Sequence, residues 1–145
     1  MIYNFYIFDK QGNLLYYQEW TRLKQSGITC EEEAKLMYGM IYSMKSFVNK
    51  ISPTDIRDGY MHYKTNKNAL HILETSSGLK FVMNTDTAST GIKDFMNQFY
   101  LKIWLEYVVK NPFCLPEKPI TSELFKAKCD EFIKQSTFYG GIKSI

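Results

Sequence analysis

Apolar and polar positions alternate along this chain at two different periods, and the changes of period mark its elements. From Ile2 to Asp9, Tyr3, Phe5 and Ile7 fall on one side of a run rich in Ile, Tyr and Phe, the period of a strand. Asp9-Lys10-Gln11-Gly12-Asn13 is turn chemistry, and a second apolar, aromatic run spans Leu14 to Trp20. Two strands joined this closely form a hairpin. A polar stretch with Ser26-Gly27 follows, then Thr29-Cys30-Glu31-Glu32. That is a capping box, in which the Thr29 hydroxyl accepts from the Glu32 amide. Glu31, Glu32 and Glu33 suit the positive end of a helix dipole.

The helix so opened runs from Cys30 to about Lys50. Ala34, Met37, Ile41, Met44, Val48 and Ile51 step by three and four into one stripe, with Leu36, Met40 and Phe47 beside it. The combined apolar arc is about 160° wide, against the ~100° that one buried face requires. The surplus predicts two roles. The stripe should face a sheet, while Leu36, Met40 and Phe47 meet a partner, flanked by Tyr38 and Tyr42 projecting from the far side. Gly39, in mid-helix, suggests a close backbone approach there.

Ser52-Pro53 to Asp58-Gly59 breaks this helix, and three strands follow: Tyr60–Thr65, Ala69–Thr75 and Leu79–Thr85. Their connectors are too brief for crossovers, so they form an antiparallel meander. Tyr60 and Tyr63 are placed in the same neighbourhood as the partner-facing flank. Ile92 to Lys110 reads as a helix apolar almost all round, hence heavily buried, ended by Asn111-Pro112. Pro112, Pro116 and Pro119 make a stiff linker. Ser122 caps a last helix with Phe125, Cys129, Phe132 and Ile133 on one face. The order ββαβββαα predicts an α+β fold: a five-stranded antiparallel sheet with one helix on one face and two on the other, as one domain over residues 1–145.

Composition sharpens this picture in one respect. Tyr, Phe and Trp make up 16% of the 145 residues, which suits pleated surfaces and interfaces. The formal charge is only +3, and no two of the 18 basic residues are adjacent. Without a basic stripe, nucleic-acid binding is disfavoured. The three cysteines, Cys30, Cys114 and Cys129, lack CxxC pairing and read as free thiols in a reducing compartment. The apolar start runs straight into Asp9 with no basic n-region, so it reads as a strand and not a signal peptide. No window reaches the ~18 apolar residues of a membrane span. A soluble, cytosolic chain is expected.

Candidate chemistry is sparse. His62 and His71 should face each other across a hairpin, but two imidazoles fall short of the three or four ligands of a zinc site. They are expected to form a partly buried, hydrogen-bonded pair. No nucleophile elbow, Walker A motif or dinucleotide-binding glycine run occurs. No catalytic, cofactor-binding or metal residue is assigned, and no cofactor is expected.

The segments YIFDKQG (6–12), EW (19–20), EEEAKLMYGMIYSMKSFV (31–48), SSGLKFVMNTD (76–86), VVKNP (108–112) and TSELF (121–125) together resemble the small longin-like subunit 1 family of trafficking protein particle (TRAPP) complexes. The resemblance covers nearly the whole chain. It implies a longin or SNARE-like fold. It also implies a place in an assembly that tethers vesicles between endoplasmic reticulum and Golgi and exchanges nucleotide on a Rab GTPase. Implied partners are a synbindin-type longin subunit and Bet3-type subunits, with the Rab engaged by the assembled complex. Implied localisation is cytoplasmic, peripheral at the cis-Golgi and endoplasmic reticulum. Two rival readings are a ligand-binding domain or enzyme with a pocket between sheet and helices, and a longin regulatory domain outside this complex.

Overall fold

The computed structural model describes residues 2–20, 27, 29–51, 59–75, 77–88, 90–112, 119–120 and 122–136. The expected helix break over 52–58, most of the proline linker with Cys114, the Cys30 side chain and the tail after Ser136 lie outside the described residues.

The hairpin forms as its turn chemistry requires. Strand β1 (Ile2–Phe8) pairs with β2 (Leu14–Glu19). Asp9 organises the turn: its carboxylate accepts from the Gln11 and Asn13 amides at 2.9 and 2.8 Å, and from Asn13 Nδ2 at 2.9 Å. Helix α1 (Cys30–Ile51) leads to the meander β3 (Tyr60–Lys64), β4 (Ala69–Glu74) and β5 (Lys80–Thr85). All pairings are antiparallel, in the order β2-β1-β5-β4-β3. The first strand therefore lies beside the last at the centre, where both faces are covered, and β1 and β5 are apolar on both sides. The edges are β2 and β3.

Strand alternation divides the core into two layers. On one face, Phe5, Ile7, Phe81 and Met83 meet α2 (Ile92–Phe99), its continuation Tyr100–Val109, and α3 (Glu123–Gln135). Aromatic rings dominate this layer. Phe81 is stacked on Phe5 at 6.3 Å and meets Phe99 and Trp104 edge to face at 6.0 and 5.4 Å. Phe125 brings α3 into the same network, edge to face with Tyr16 at 5.0 Å and Trp104 at 6.0 Å. Ser122 caps α3 as expected, accepting from the Phe125 amide at 3.3 Å. On the other face, Tyr6, Phe8, Leu70, Ile72 and Val82 meet α1 alone. The expected arrangement, one helix on one face and two on the other, is the one found.

The second helical run differs from expectation in two ways. Beyond Phe99 it widens to π-helical turns, where the Lys110 amide reaches the Leu105 carbonyl, five residues back, at 3.2 Å. It is also not buried all round. Ile92, Met96, Phe99, Ile103 and Trp104 are buried, whereas Leu101 and Val109 are exposed. One sheet face and α3 cover only one side of it.

Candidate functional site

Helix α1 begins as its sequence dictates. The Glu32 amide donates to the Thr29 hydroxyl at 3.2 Å, and the Glu33 amide to the Thr29 carbonyl at 3.0 Å. Glu33 also accepts from the hydroxyl of fully buried Tyr6 at 2.9 Å, which fixes the first turn to β1. Further along, Lys45 is ion-paired with Glu74 at the end of β4. Between these ties Ala34 and Ile41 are buried, with Met37 and Tyr38 half-buried beside them.

This rotation places the predicted interface residues as follows. Leu36 (67% exposed), Met40 (41%) and Phe47 (62%) stand in solvent, joined by Ile51 at 62%. At about 100° per residue these four lie within roughly 60° of one another around the axis, a continuous apolar flank. Ile51 was expected in the sheet-facing stripe, and Met44 and Val48 from that stripe are only half-buried. The second half of the helix is thinly covered.

Tyr38 does not project from the far side. Its ring sits 5.6 Å from that of Phe8 and lies over Gly12, where an added Cβ would come within 2.7 Å of it. Gly12 (φ +91°) both turns the hairpin and leaves room for this ring. Tyr42 is exposed, yet it falls about 160° around the axis from Met40, on the opposite flank. Among the described residues outside its own helical turn, nothing comes within 4 Å of where a Gly39 Cβ would stand, so the close backbone approach expected there is not found among them.

Tyr63 and Tyr60 separate because they are an odd number of residues apart in β3. Tyr63, paired with Leu70, shares the α1 face of the sheet and is 52% exposed. Tyr60 points to the other face, half-buried, against the aromatic layer. The α1 flank and Tyr63 thus lie on one side of the sheet, and Tyr60 does not belong with them.

His62 and His71 are register partners with ring centroids 6.1 Å apart. His62 is exposed and His71 buried. The Thr85 hydroxyl donates to the Asp86 carbonyl at 3.0 Å, so it accepts from His71 Nε2 at 3.1 Å. Nδ1 is then left to accept from the Tyr60 hydroxyl at 2.7 Å. Burial, with the nearby charges of His62 and Lys64, pushes His71 down to about 4, so the ring is neutral near pH 7. The Cys129 thiol is pushed up to about 12, mainly by burial, and burial raises the Tyr16 hydroxyl as well. Burial thus favours the neutral form of each of these groups. Among the described residues no third His, Cys, Asp or Glu completes a metal-binding group. No described helix is long and apolar enough to cross a membrane.

The described residues thus form an α+β fold with an apolar helix flank left in solvent on one side of the sheet. A profile of the Sybindin-like family matches residues 2–136, and the chain belongs to that family. It is similar to trafficking protein particle complex subunit 1 of Rattus norvegicus, 44% identical over 95% of each chain. The subunit of that name from Dictyostelium discoideum is 40% identical over 96% of this chain and 94% of its own. Subunit BET5 of the corresponding complex from Saccharomyces cerevisiae is 34% identical over 76% and 73%. The resemblance read from the KLMYGM segment and its companions is borne out. Among solved structures, Myxococcus xanthus MglB superposes with a TM-score of 0.46 and 18% identity, over 62% of this chain and 68% of its own.

Proposed function

We propose that this chain is a non-catalytic core subunit of a TRAPP vesicle-tethering complex and works through protein–protein contacts in transport between endoplasmic reticulum and Golgi. One observation carries the reading: Leu36, Met40, Phe47 and Ile51 form a continuous apolar flank in solvent on a helix whose opposite side is already seated on the sheet. Left in water such a flank is adhesive, while inside an assembly it supplies an interface core. The names of the relatives supply the kind of assembly. In it, a synbindin-type longin subunit and Bet3-type subunits are the neighbours, and the α1 flank with Tyr63 is the contact. Tyr42 and Tyr38 stand apart from that contact.

Nucleotide exchange on a Rab GTPase is assigned to the assembled complex. A rigid surface that binds the nucleotide-free GTPase best shifts its population, and no acid or base is needed. The chain then reaches membranes only peripherally, as part of the complex. Co-purification with tagged chain followed by intact-mass analysis tests this. Several small longin-type and Bet3-type subunits should co-elute. Release of a fluorescent GDP from the Rab should be at background with the chain alone and accelerated by the assembly. Acceleration by the isolated chain, or elution without partners, would contradict the reading.

A further inference from the structure

We propose that the opposite flank of α1 carries a second, electrostatic docking site, in which Lys80 beside the Tyr38 ring, with Lys45 and Lys10 on neighbouring elements, takes the carboxylates of an acidic segment on a protein partner. The inference rests on the reading of the chain as part of an assembly, but not on the apolar flank.

Lys80 opens β5 and is 6% exposed. Its ammonium has three donors, yet it makes one long bond, to the Gly78 carbonyl at 3.4 Å, and lies 5.4 Å from the centre of the Tyr38 ring. A recessed cation of this kind ordinarily has a carboxylate beside it. Two carboxylates stand close in the fold, and both are engaged elsewhere. Glu74 is the cross-strand partner of Lys80 on the same face, and it is held by Lys45. Asp9 follows Phe8, which pairs with Lys80, but its oxygens are taken up by the Gln11 and Asn13 amides and Asn13 Nδ2.

A third lysine reaches the same corner. Gly78 (φ +88°) lies so close to Lys10 that a Cβ there would come within 2.7 Å of the Lys10 Cβ, so the two hairpin turns touch. Lys10 itself is exposed. Tyr38 roofs the corner from α1, and exposed Tyr42 follows one turn later. Lys80 therefore lies against the Tyr38 ring, with Lys45 next to it on Glu74 and Lys10 on the adjoining turn, and the Glu74 carboxylate is already engaged by Lys45. The recessed position of Lys80 suits a carboxylate on a flexible side chain. A flat headgroup layer would meet Lys10 first and stop short of it.

The test uses the assembled complex with a benzophenone amino acid in place of Tyr42. Irradiation should join it to a segment of another subunit or bound GTPase rich in Asp and Glu. Two variants should then move the adduct yield in opposite directions. Lys80→Met removes the recessed charge and should lower it on the order of tenfold. Glu74→Gln removes the competing carboxylate and should raise it severalfold, although both changes disturb the same ion cluster. Raising the salt from about 0.05 M to about 0.5 M should weaken the wild-type adduct and leave Lys80→Met little changed. An intact assembly with equal yields in all three chains overturns the site, as does an adduct to lipid or to a segment without acids. Absence of any assembly overturns this site and the proposed function together.

Discussion

The two faces of this sheet both carry large apolar side chains and end up covered to very different degrees. On the α2–α3 face, sixteen described residues form one buried cluster, with rings from β2, β5, α2, its continuation and α3 locked edge to face. On the α1 face the corresponding cluster has seven, and four large apolar side chains of the covering helix stand in solvent. The first face is sealed within the chain, with Leu101, Val109 and Leu124 exposed only on the outer sides of its helices. On the second, Leu36, Met40, Phe47 and Ile51 stay in solvent, and the proposed partner contact would cover them. Under the proposed function, burial separates residues that hold the monomer from residues that hold an assembly.

The largest effect should come from breaking the sealed face. Phe81 is fully buried among Phe5, Phe99, Tyr100 and Trp104. Phe81→Ala should cost about 3–5 kcal/mol by chemical denaturation of the isolated chain.

Two neighbours on α1 give the next contrast. Ile41 is 1% exposed and Met40 41%. Ile41→Asp buries a charge and should cost the free chain several kcal/mol, whereas Met40→Asp should cost less than about 1 kcal/mol. In co-purification the order reverses in meaning: the folded Met40→Asp chain should fail to assemble, because the unpaired charge is buried only there. A Met40→Asp chain that assembles normally would break the comparison.

The pH dependence belongs to the sealed face. The folded-state value of His71 lies at about 4, below its ordinary 6.5. The unfolded chain therefore binds the extra proton first, and stability falls as pH drops from about 6.5 toward 4. The loss should be on the order of 2 kcal/mol at pH 4 and absent in His71→Gln, read from urea midpoints.

The smallest effect is the most discriminating for α1. Gly39 is exposed with open space around it, so Gly39→Ala should stabilise the free chain by about 0.5–1 kcal/mol. If a partner backbone approaches there, the same change should weaken assembly. Stabilisation of both would place Gly39 outside the interface.

Most of the fold was legible in the sequence because local chemistry set it. The Asp9 turn, the Thr29 and Ser122 caps and the His62–His71 register each depend on residues near in sequence or on a two-residue connector. The rotation of α1 was not legible to the same degree. Its apolar arc is wide enough to seat in several ways, and what selects one is Tyr38 on Gly12 and Phe8, Glu33 on Tyr6 and Lys45 on Glu74. These contacts join residues far apart in the chain, and no periodicity reports them. Tyr60 was misplaced for a simpler reason, since its odd spacing from Tyr63 already put the two on opposite faces. The Lys80 corner carried no sequence signal, being assembled from two turns and a helix.

Methionine oxidation measures the central claim on side chains directly. With dilute peroxide and mass spectrometry, Met40 in the free chain should oxidise rapidly, and Met83 and Met96, at 0% and 1% exposure, slowly. In the assembled complex Met40 should become severalfold slower while Met83 and Met96 stay as they were. A Met40 that oxidises at the same rate free and assembled would show that nothing covers the α1 flank, and the division of labour between the two faces would be wrong.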